Sequence, residues 1–404
     1  MKYTSFGILL VCVALLCVGH GLHGSLVAIS AQGADFGADV TGLIMSGYSA
    51  GMLISAVLTP KLVKSVGHVR TFAGLASIVS TVVLLIPLWI NPGFWFAMRF
   101  IAGFCSSGLF LVCESWVNAF ASNQNRGRVL SLYMMVTYGS LGAGQLLLNV
   151  NDETGTTRFI IVSAMLSLSL VPLILLPAEA PPIEGAKPVS VNDIWKASPL
   201  AVIGCFANGL GQSAFFAMGT YFGLGKGLSV WAVSIMMALP PLGVILSQFP
   251  IGLASDKFDR RKVIVAMSLA GAAAIGAILV LGLIWSWFLI GLVTLFGVFT
   301  LPVYSLVIAH ANDHLTKQQV LGASGRLILL YGIGSIVGPL AVGKIMHDYG
   351  PNGFPAYLAA VYGGLGLFAL WRVVMRPEDV RGRKNESMTV SPTSTPVAAQ
   401  NLGE

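Results

Sequence analysis

Long apolar runs separated by short polar turns dominate this chain. A helix needs ~20 mostly apolar residues to cross the ~30 Å hydrocarbon core of a bilayer, and twelve charge-poor runs come close to that length. They lie near residues 5–31, 38–60, 70–91, 93–121, 127–149, 157–177, 198–224, 229–254, 262–284, 286–310, 320–347 and 353–376. The pattern predicts an all-α integral membrane protein with twelve transmembrane helices.

Composition agrees with this pattern. Of the 404 residues, 55% are hydrophobic and 10% are charged, and the mean hydropathy is +0.82. Too few polar side chains remain to cover a soluble globule of this size. The N-terminal run is longer than the core of a secretory signal peptide and further runs follow it, so we interpret it as a membrane span.

The sequence repeats itself over a long interval. Trp95-Phe96 at the start of one apolar run returns as Trp287-Phe288 at the start of another. A long repeat in a membrane chain predicts two pseudo-symmetric six-helix halves. We place a first half at 1–177, a cytoplasmic linker at 178–197, a second half at 198–376 and a disordered polar tail at 377–404.

Positive charges are distributed unevenly between the predicted turns. With a cytoplasmic N-terminus, all but four of the 23 Lys and Arg residues fall on the cytoplasmic side. The exceptions are Arg99, Arg158, Lys226 and Lys344. This bias predicts that both termini are cytoplasmic in a bacterial inner membrane. It also accounts for the net charge of +7 without a nucleic-acid partner.

The turn between the eighth and ninth runs carries a motif. Its residues Gly252, Asp256, Lys257, Arg260 and Arg261 read G-x-x-x-D-K-x-x-R-R. The spacing resembles the G-x-x-x-D-(R/K)-x-G-(R/K)-(R/K) signature of the major facilitator superfamily, and the resemblance extends over the whole chain. A glycine there permits close helix approach, and an acid among cations forms a latch. We expect a gating role, with an ordinary positive-inside loop as the alternative.

The first-half copy of this motif departs from the pattern. Lys64 stands where the acid is expected, while Gly67 and Arg70 are retained. Glu114 is the only acidic residue in the interior of a predicted run, since Asp39 stands at the very start of the second run. Intramembrane acids are costly and usually functional. We therefore expect Lys64, Gly67, Arg70 and Glu114 to form a gate. Glu114 has two alternative roles, proton coupling and a polar contact with Asn118.

Two further segments resemble the same superfamily. Arg99 and Gly103 match its R-x-x-x-G element, which implies that Arg99 takes part in proton coupling or holds neighbouring helices together. The alternative is an Arg99 side chain that extends to the outer interface. The basic Asn125–Arg128 segment, followed by the Gly-rich 138–145 run, resembles the YcaD-type branch.

By this resemblance, the first, fourth, seventh and tenth spans line a central cavity. His20 and His23 lie in the first span, and the repeat places Gln212 opposite His20, one helical turn after Asn208. A histidine near the bilayer midplane titrates near physiological pH and is suited to carry a coupled proton or to bind a substrate. Hydrogen bonding between helices is the alternative for both histidines.

Three more polar side chains are predicted to contact substrate: Tyr138 and Gln145 in the fifth span and Tyr304 in the tenth. Packing between helices explains each of them equally well. The five cysteines all fall inside predicted spans and have no metal-ligand spacing, so we expect neither a metal nor a cofactor.

The sequence has no Walker-type phosphate loop and no nucleophile motif, so neither ATP-driven transport nor an enzyme is indicated. We expect a monomeric secondary transporter in a lipid membrane that moves a small organic molecule by alternating access, coupled to protons. Efflux and uptake remain equally open. A receptor or scaffold on the same fold is the alternative.

Overall fold

The computed structural model describes residues 2–121, 125–175, 190–281, 286–315 and 317–375, and every regular element in those ranges is a helix. The helices are α1 (Lys2–Gly33), α2 (Ala38–Val66), α3 (His68–Leu85), α4 (Pro92–Phe120), α5 (Arg126–Leu146), α6 (Thr157–Leu168), α7 (Leu170–Ile174), α8 (Val191–Ala197), α9 (Pro199–Gly225), α10 (Val230–Lys257), α11 (Arg260–Val280), α12 (Ser286–Thr300), α13 (Val303–Asp313), α14 (Lys317–Tyr349) and α15 (Gly353–Met375).

Among the described residues, eleven helical segments are long and apolar enough to cross a membrane, and they coincide with eleven of the twelve predicted runs. The all-α, multi-pass membrane class is therefore confirmed. The remaining run corresponds to α5, which is helical but too rich in polar residues and glycine to be identified by composition. A helix of its 21 residues is ~32 Å long, which is enough to span the hydrocarbon core.

We use first half for α1–α7 and second half for α9–α15, and α8 lies in the segment predicted as the linker. The ring of Phe6 lies 5.8 Å from that of Phe120, so the start of α1 meets the end of α4. At the opposite end of the bundle, the rings of Phe36 and Trp95 are 5.3 Å apart. We call the end with Phe6 the near end and the end with Phe36 the far end.

The predicted tenth span is interrupted near its middle. Helix α12 ends at Thr300 and α13 begins at Val303, with Pro302 between them. Proline has no N–H to donate and disfavours helical geometry in the residue before it, so the helix breaks at this point. Carbonyl groups at the break lose their helical partners and become available to other side chains.

Among the described residues, the halves pack on each other most extensively through three helix pairs. Helix α2 packs on α14, α5 on α10, and α1 on α9. The α2–α14 contact is close because Gly42 faces the backbone at Pro339 and Gly343. Such small residues are what allow two membrane helices to approach closely.

Two predicted segments are only partly described. Of the proposed linker, 190–197 contains the short helix α8, which begins with Ser190 as N-cap and packs on α9 and α14. Residues 178–189 and the whole predicted tail at 377–404 lie outside the described residues.

Candidate functional site

A cavity of about 190 Å³ lies between the two halves. Four of the seven predicted substrate-contacting residues line it, namely His20, Tyr138, Gln145 and Gln212, and Arg99 also lines it. Further lining residues come from both halves, and they include Met45, Tyr48, Phe110, Phe216, Met237, Leu301 and Tyr331. The cavity thus has a polar part and a larger apolar part.

The other three predicted residues lie outside the cavity lining. His23 is buried beside Arg99. Asn208 is fully buried and donates a hydrogen bond to the carbonyl of Gly204 at 2.8 Å. Tyr304 packs its ring against that of Tyr331 at 5.0 Å. These three side chains support residues of the wall.

The Arg99 side chain is the centre of a buried cluster. It is 5% exposed, and its Nη1 lies 3.5 Å from Nδ1 of His23. The guanidinium carbon stands 4.7 Å from the centre of the Tyr48 ring, within the range of a cation–π contact. Nδ1 of His20 lies 3.4 Å from the hydroxyl of the same tyrosine. Tyr48 thus connects His20 to Arg99, and Arg99 is held inside the bundle instead of extending to the interface.

A hydrogen-bond network joins the halves beside the cavity. Thr220 in α9 donates to the hydroxyl of Ser25 at 2.9 Å, and Ser25 donates to Oε1 of Gln145 at 2.7 Å. The amide nitrogen of Gln145 donates to the carbonyl of Gly21 at 2.7 Å. Gln145 is thereby fully oriented, because both ends of its amide group have partners.

In the second half, the amide group of Gln212 has partners at both ends, as that of Gln145 does in the first half. Its Nε2 donates to the carbonyl of Leu301 at 3.2 Å, and the hydroxyl of Tyr331 donates to its Oε1 at 3.3 Å. The Leu301 carbonyl is accessible because Pro302 interrupts the helix there. The break in the tenth span therefore shapes the cavity wall.

Glu114 lies deeper towards the near end. It is 2% exposed and accepts a hydrogen bond from the Tyr133 hydroxyl at 3.4 Å. Lys64 and Arg70 are both exposed, on either side of Gly67, whose φ of +89° ends α2. The gate formed by these residues with Glu114 remains a prediction.

The near end of the second half carries a charged cluster. Nε of Arg260 donates to Asp313 at 2.7 Å, and its Nη1 lies 3.4 Å from Asp256. The Arg260 side chain is 2% exposed. Arg261 pairs with Asp259 at 2.8 Å, the residue that also caps α11. Sequence reasoning did not identify Asp313, which lies far along the chain from the motif.

Electrostatics at Asp259 follow from these contacts. Burial by itself would raise the pKa of the Asp259 carboxyl, but hydrogen bonds from the side chain and backbone of Arg261 outweigh it and hold that pKa below its usual range.

Of the other two predicted gating residues in this turn, Lys257 is exposed, and Gly252 is half-buried in α10.

Several contacts between the halves lie at the far end. Nδ2 of Asn149 donates to the Ser234 hydroxyl at 2.8 Å, and the Tyr221 hydroxyl donates to the Phe36 carbonyl at 3.2 Å. Asp39 and His347 approach to 3.2 Å at the edge of the same interface. The near-end ion pairs described above all lie within the second half.

Several residues of the candidate site were not predicted from the sequence. Tyr48, Ser25, Thr220 and Tyr331 are ordinary polar residues of apolar helices. Ser25 follows His20 by five residues and Thr220 follows Gln212 by eight residues, so a search for hydroxyl groups within about two helical turns beyond those residues would have found both. It would still not have shown that they bond to each other across the halves.

Comparison with known proteins yields a consistent set of similarities. The family profile described as Major Facilitator Superfamily matches residues 9–244 and 201–401. An MFS-type transporter, YcaD, of Salmonella arizonae is 28% identical over 360 residues, covering 87% of this chain and 91% of that protein. The YcaD of Escherichia fergusonii is 27% identical over 314 residues, covering 77% and 81%.

Solved structures share the fold at low identity. The nucleoside transporter NupG superimposes with a TM-score of 0.76 at 13% identity, covering 93% of this chain and 99% of NupG. A bacterial homologue of the human lysosomal transporter Spinster, in an inward-facing and unoccupied conformation, has a TM-score of 0.65 at 13% identity, covering 92% and 95%.

Proposed function

Because this chain belongs to the major facilitator superfamily and is similar to YcaD-type transporters, we propose that it is a secondary active transporter that moves a small organic molecule by alternating access. The family predicted from the turn motifs is confirmed. Membership makes the chain a membrane transport protein and not an enzyme. The substrate, the coupling and the transport cycle belong to the proposal.

The cavity between the halves is the observation that carries this proposal. Substrate access requires the halves to separate at one end while they stay in contact at the other. The inter-half contacts of Asn149, Asp39 and Gly42 lie at the far end. We propose that this conformation is closed at the far end, and that breaking these contacts opens the cavity to that side.

A cross-link tests alternating access. Asn149→Cys with Ser234→Cys, in a background with the native cysteines replaced by serine, joins the halves at the far end. We expect oxidation to abolish flux in proteoliposomes and reduction to restore it. Lys344→Cys with Asp348→Cys is the matched control, because both residues lie at the same end of α14. Undiminished flux in the oxidised inter-half pair would refute alternating access.

The substrate is to be found by flux measurement. Proteoliposomes with an imposed pH gradient are exposed to a bacterial metabolite extract, and their contents are identified by mass spectrometry. Accumulation that reverses when the gradient is reversed supports secondary transport. Stable binding without any flux would favour the receptor alternative. The direction of the gradient that drives accumulation then distinguishes uptake from efflux.

We propose proton coupling through His20, which lies in the cavity wall and contacts Tyr48. Glu114 is the alternative carrier, and Arg99 does not release its proton at useful pH. His20→Gln should lose gradient-driven accumulation and keep substrate exchange, whereas Glu114→Gln and His23→Gln should keep both. Full accumulation in all three variants would eliminate these sites as proton carriers.

We further propose that the near end faces the cytoplasm of a bacterial cell, as the distribution of Lys and Arg predicts. Asp152 in the α5–α6 loop would be a poor position for a cysteine label, because its side chain is only 3% exposed. Glu153 beside it and Asn192 in α8 are exposed. An impermeant maleimide added to intact cells should label Glu153→Cys and spare Asn192→Cys. The reverse pattern would invert the topology.

A further inference from the structure

We propose that the cavity binds an organic anion and that the Arg99 guanidinium receives its carboxylate. This inference deepens the transport function proposed above and rests on it. It is carried by the charge of the cavity wall, by the surroundings of Arg99, and by the apolar character of the remaining wall.

The described residues of the cavity wall carry no negative charge. Among the residues that line it, Arg99 is a permanent cation and His20 is a basic group, and none is Asp or Glu. The other polar members are hydroxyl and amide side chains such as Tyr138, Gln145 and Gln212. Hydroxyl and amide groups offer hydrogen-bond donors to an anion as readily as they accept from a neutral ligand.

Arg99 has no carboxylate partner among the described residues. Its neighbours, His23 at 3.5 Å and the Tyr48 ring at 4.7 Å, do not bring a compensating full negative charge. Its Nε has no hydrogen-bond partner in the described part of the chain. Glu114 lies fifteen residues further along α4, which corresponds to ~22 Å along the helix axis. Arg99 is therefore a buried cation with a donor still available.

A buried charge without a counterion is costly, and a guanidinium keeps its charge under all useful conditions. The cation–π contact with Tyr48 offsets only part of that cost. A carboxylate can place two oxygens in the plane of the guanidinium and accept two parallel hydrogen bonds from its N–H groups. This bidentate pairing is the geometry that a guanidinium favours. A bound carboxylate would therefore supply the counterion that no described residue provides to Arg99.

The rest of the wall limits the size and polarity of the anion. Met45, Phe110, Phe216, Met237 and Leu301 form an apolar surface around the polar groups. The cavity volume of about 190 Å³ is below the ~300–1,000 Å³ of sites for drug-sized ligands. The matching ligand is a small acid with one carboxylate and a compact apolar body.

The neighbouring histidine links this ligand to the proton. A carboxylate bound at Arg99 adds negative charge close to His20, which makes a proton on that imidazole more favourable. By thermodynamic reciprocity, protonation of His20 then strengthens binding of the anion. Binding of a carboxylate should therefore tighten as the pH falls, by a margin that His20→Gln removes.

The test measures binding by thermal unfolding of purified protein in lipid nanodiscs. The probes are benzoate, 4-hydroxybenzoate and butanoate, each with its primary amide and the corresponding amine, and sodium chloride alone. The variants are Arg99→Gln, Arg99→Lys and the matched control Arg158→Gln, which removes a cation at the α6 terminus, outside the cavity wall. Size-exclusion profiles confirm that each variant is folded.

We expect saturable stabilisation by at least one carboxylate and by none of its amides or amines. Arg99→Gln should weaken that binding at least about tenfold, since a charged hydrogen-bond partner is lost. Arg99→Lys, which keeps the charge and loses the fork, should bind more weakly than wild type and more tightly than Arg99→Gln. Arg158→Gln should bind like wild type. If Arg99→Gln fails to fold, the comparison of Arg99→Lys with wild type carries the test.

Four results of the binding test would overturn the anion proposal. They are no binding of any carboxylate, equal binding of amides or amines, carboxylate binding that survives Arg99→Gln, and equal stabilisation by chloride, which would show an adventitious ion only. Failure of the transport function gives a different result. Carboxylates would then bind through Arg99, and proteoliposomes would show no flux. If a neutral or cationic compound is transported and its flux does not depend on Arg99, the proposed transport function holds and the proposed anion specificity is wrong.

Discussion

A methyl group added at Gly42 should shift the transporter away from the conformation described here. The new Cβ would overlap the carbonyl oxygen of Pro339 and stand 3.1 Å from the Cα of Gly343. These are backbone atoms of α14, so no side-chain rotation relieves the contact. The contact joins the two halves at the far end, so in the proposed transport cycle it exists only while that end is closed.

Overpacking of this kind costs ~1–3 kcal/mol, which corresponds to a change of ~5- to 150-fold in the ratio of closed to open far end. Gly343→Ala should act in the same way, because its Cβ would come within 2.6 Å of the Ala38 carbonyl oxygen. Folding should be largely retained, since the halves can separate and remove the clash.

Spin labels on exposed far-end residues measure the shift. Leu88 in the first half and Tyr349 in the second are 74% and 77% exposed. Double electron–electron resonance should show a longer distance gaining population in Gly42→Ala. Gly74→Ala is the neutral control, because its Cβ would meet nothing within 4 Å.

Gly51→Ala is the discriminating control. Its Cβ would come within 2.7 Å of the Phe104 backbone nitrogen, a contact between two helices of the same half. That clash persists in both conformations, so it should lower the unfolding temperature without changing the distance distribution. An unchanged distribution in folded Gly42→Ala, or an equal shift in Gly51→Ala, would refute the reasoning.

The near-end cluster of the second half gives two further predictions. Asp313→Ala should destabilise the fold by ~3 kcal/mol or more, because it removes the carboxylate that pairs at 2.7 Å with the almost fully buried Arg260. Asp256→Ala should destabilise the fold by only ~0.5 kcal/mol, because the Asp256 side chain is 41% exposed. Chemical denaturation in detergent measures both, and equal losses would contradict the assignment of Arg260 to Asp313. The second prediction concerns stability in acid. The folded-state pKa of Asp259 lies below its unfolded value of ~3.9. The stabilisation that the Asp259 carboxylate gives the fold is therefore fully present above the unfolded pKa and is lost as the pH falls through the folded pKa. Asp259→Asn should therefore flatten the fall of the unfolding temperature between about pH 5 and about pH 3, and an unchanged slope would remove Asp259 as its source.

Much of the architecture could be read from the order of residues. Spans are set by the length of apolar runs, because the bilayer thickness fixes how many residues a helix needs. The motif of Asp256 and Arg260 identified the family because its spacing serves local geometry within one turn. The position of Gln212 in the cavity wall, with His20, followed from the internal repeat. Local and periodic features are thus accessible to sequence reasoning.

The partners of those residues were decided only by the tertiary structure. Tyr48 lies between His20 and Arg99. Thr220 donates a hydrogen bond to Ser25 in the other half, although neither sequence segment indicates this pairing. Asn208 and Tyr304, polar residues on helices expected to line the cavity, face the packing behind its wall instead. The direction in which a side chain points depends on the rotation of its helix. That rotation is set by how neighbouring helices pack, which is a property of the whole bundle and not of any one segment.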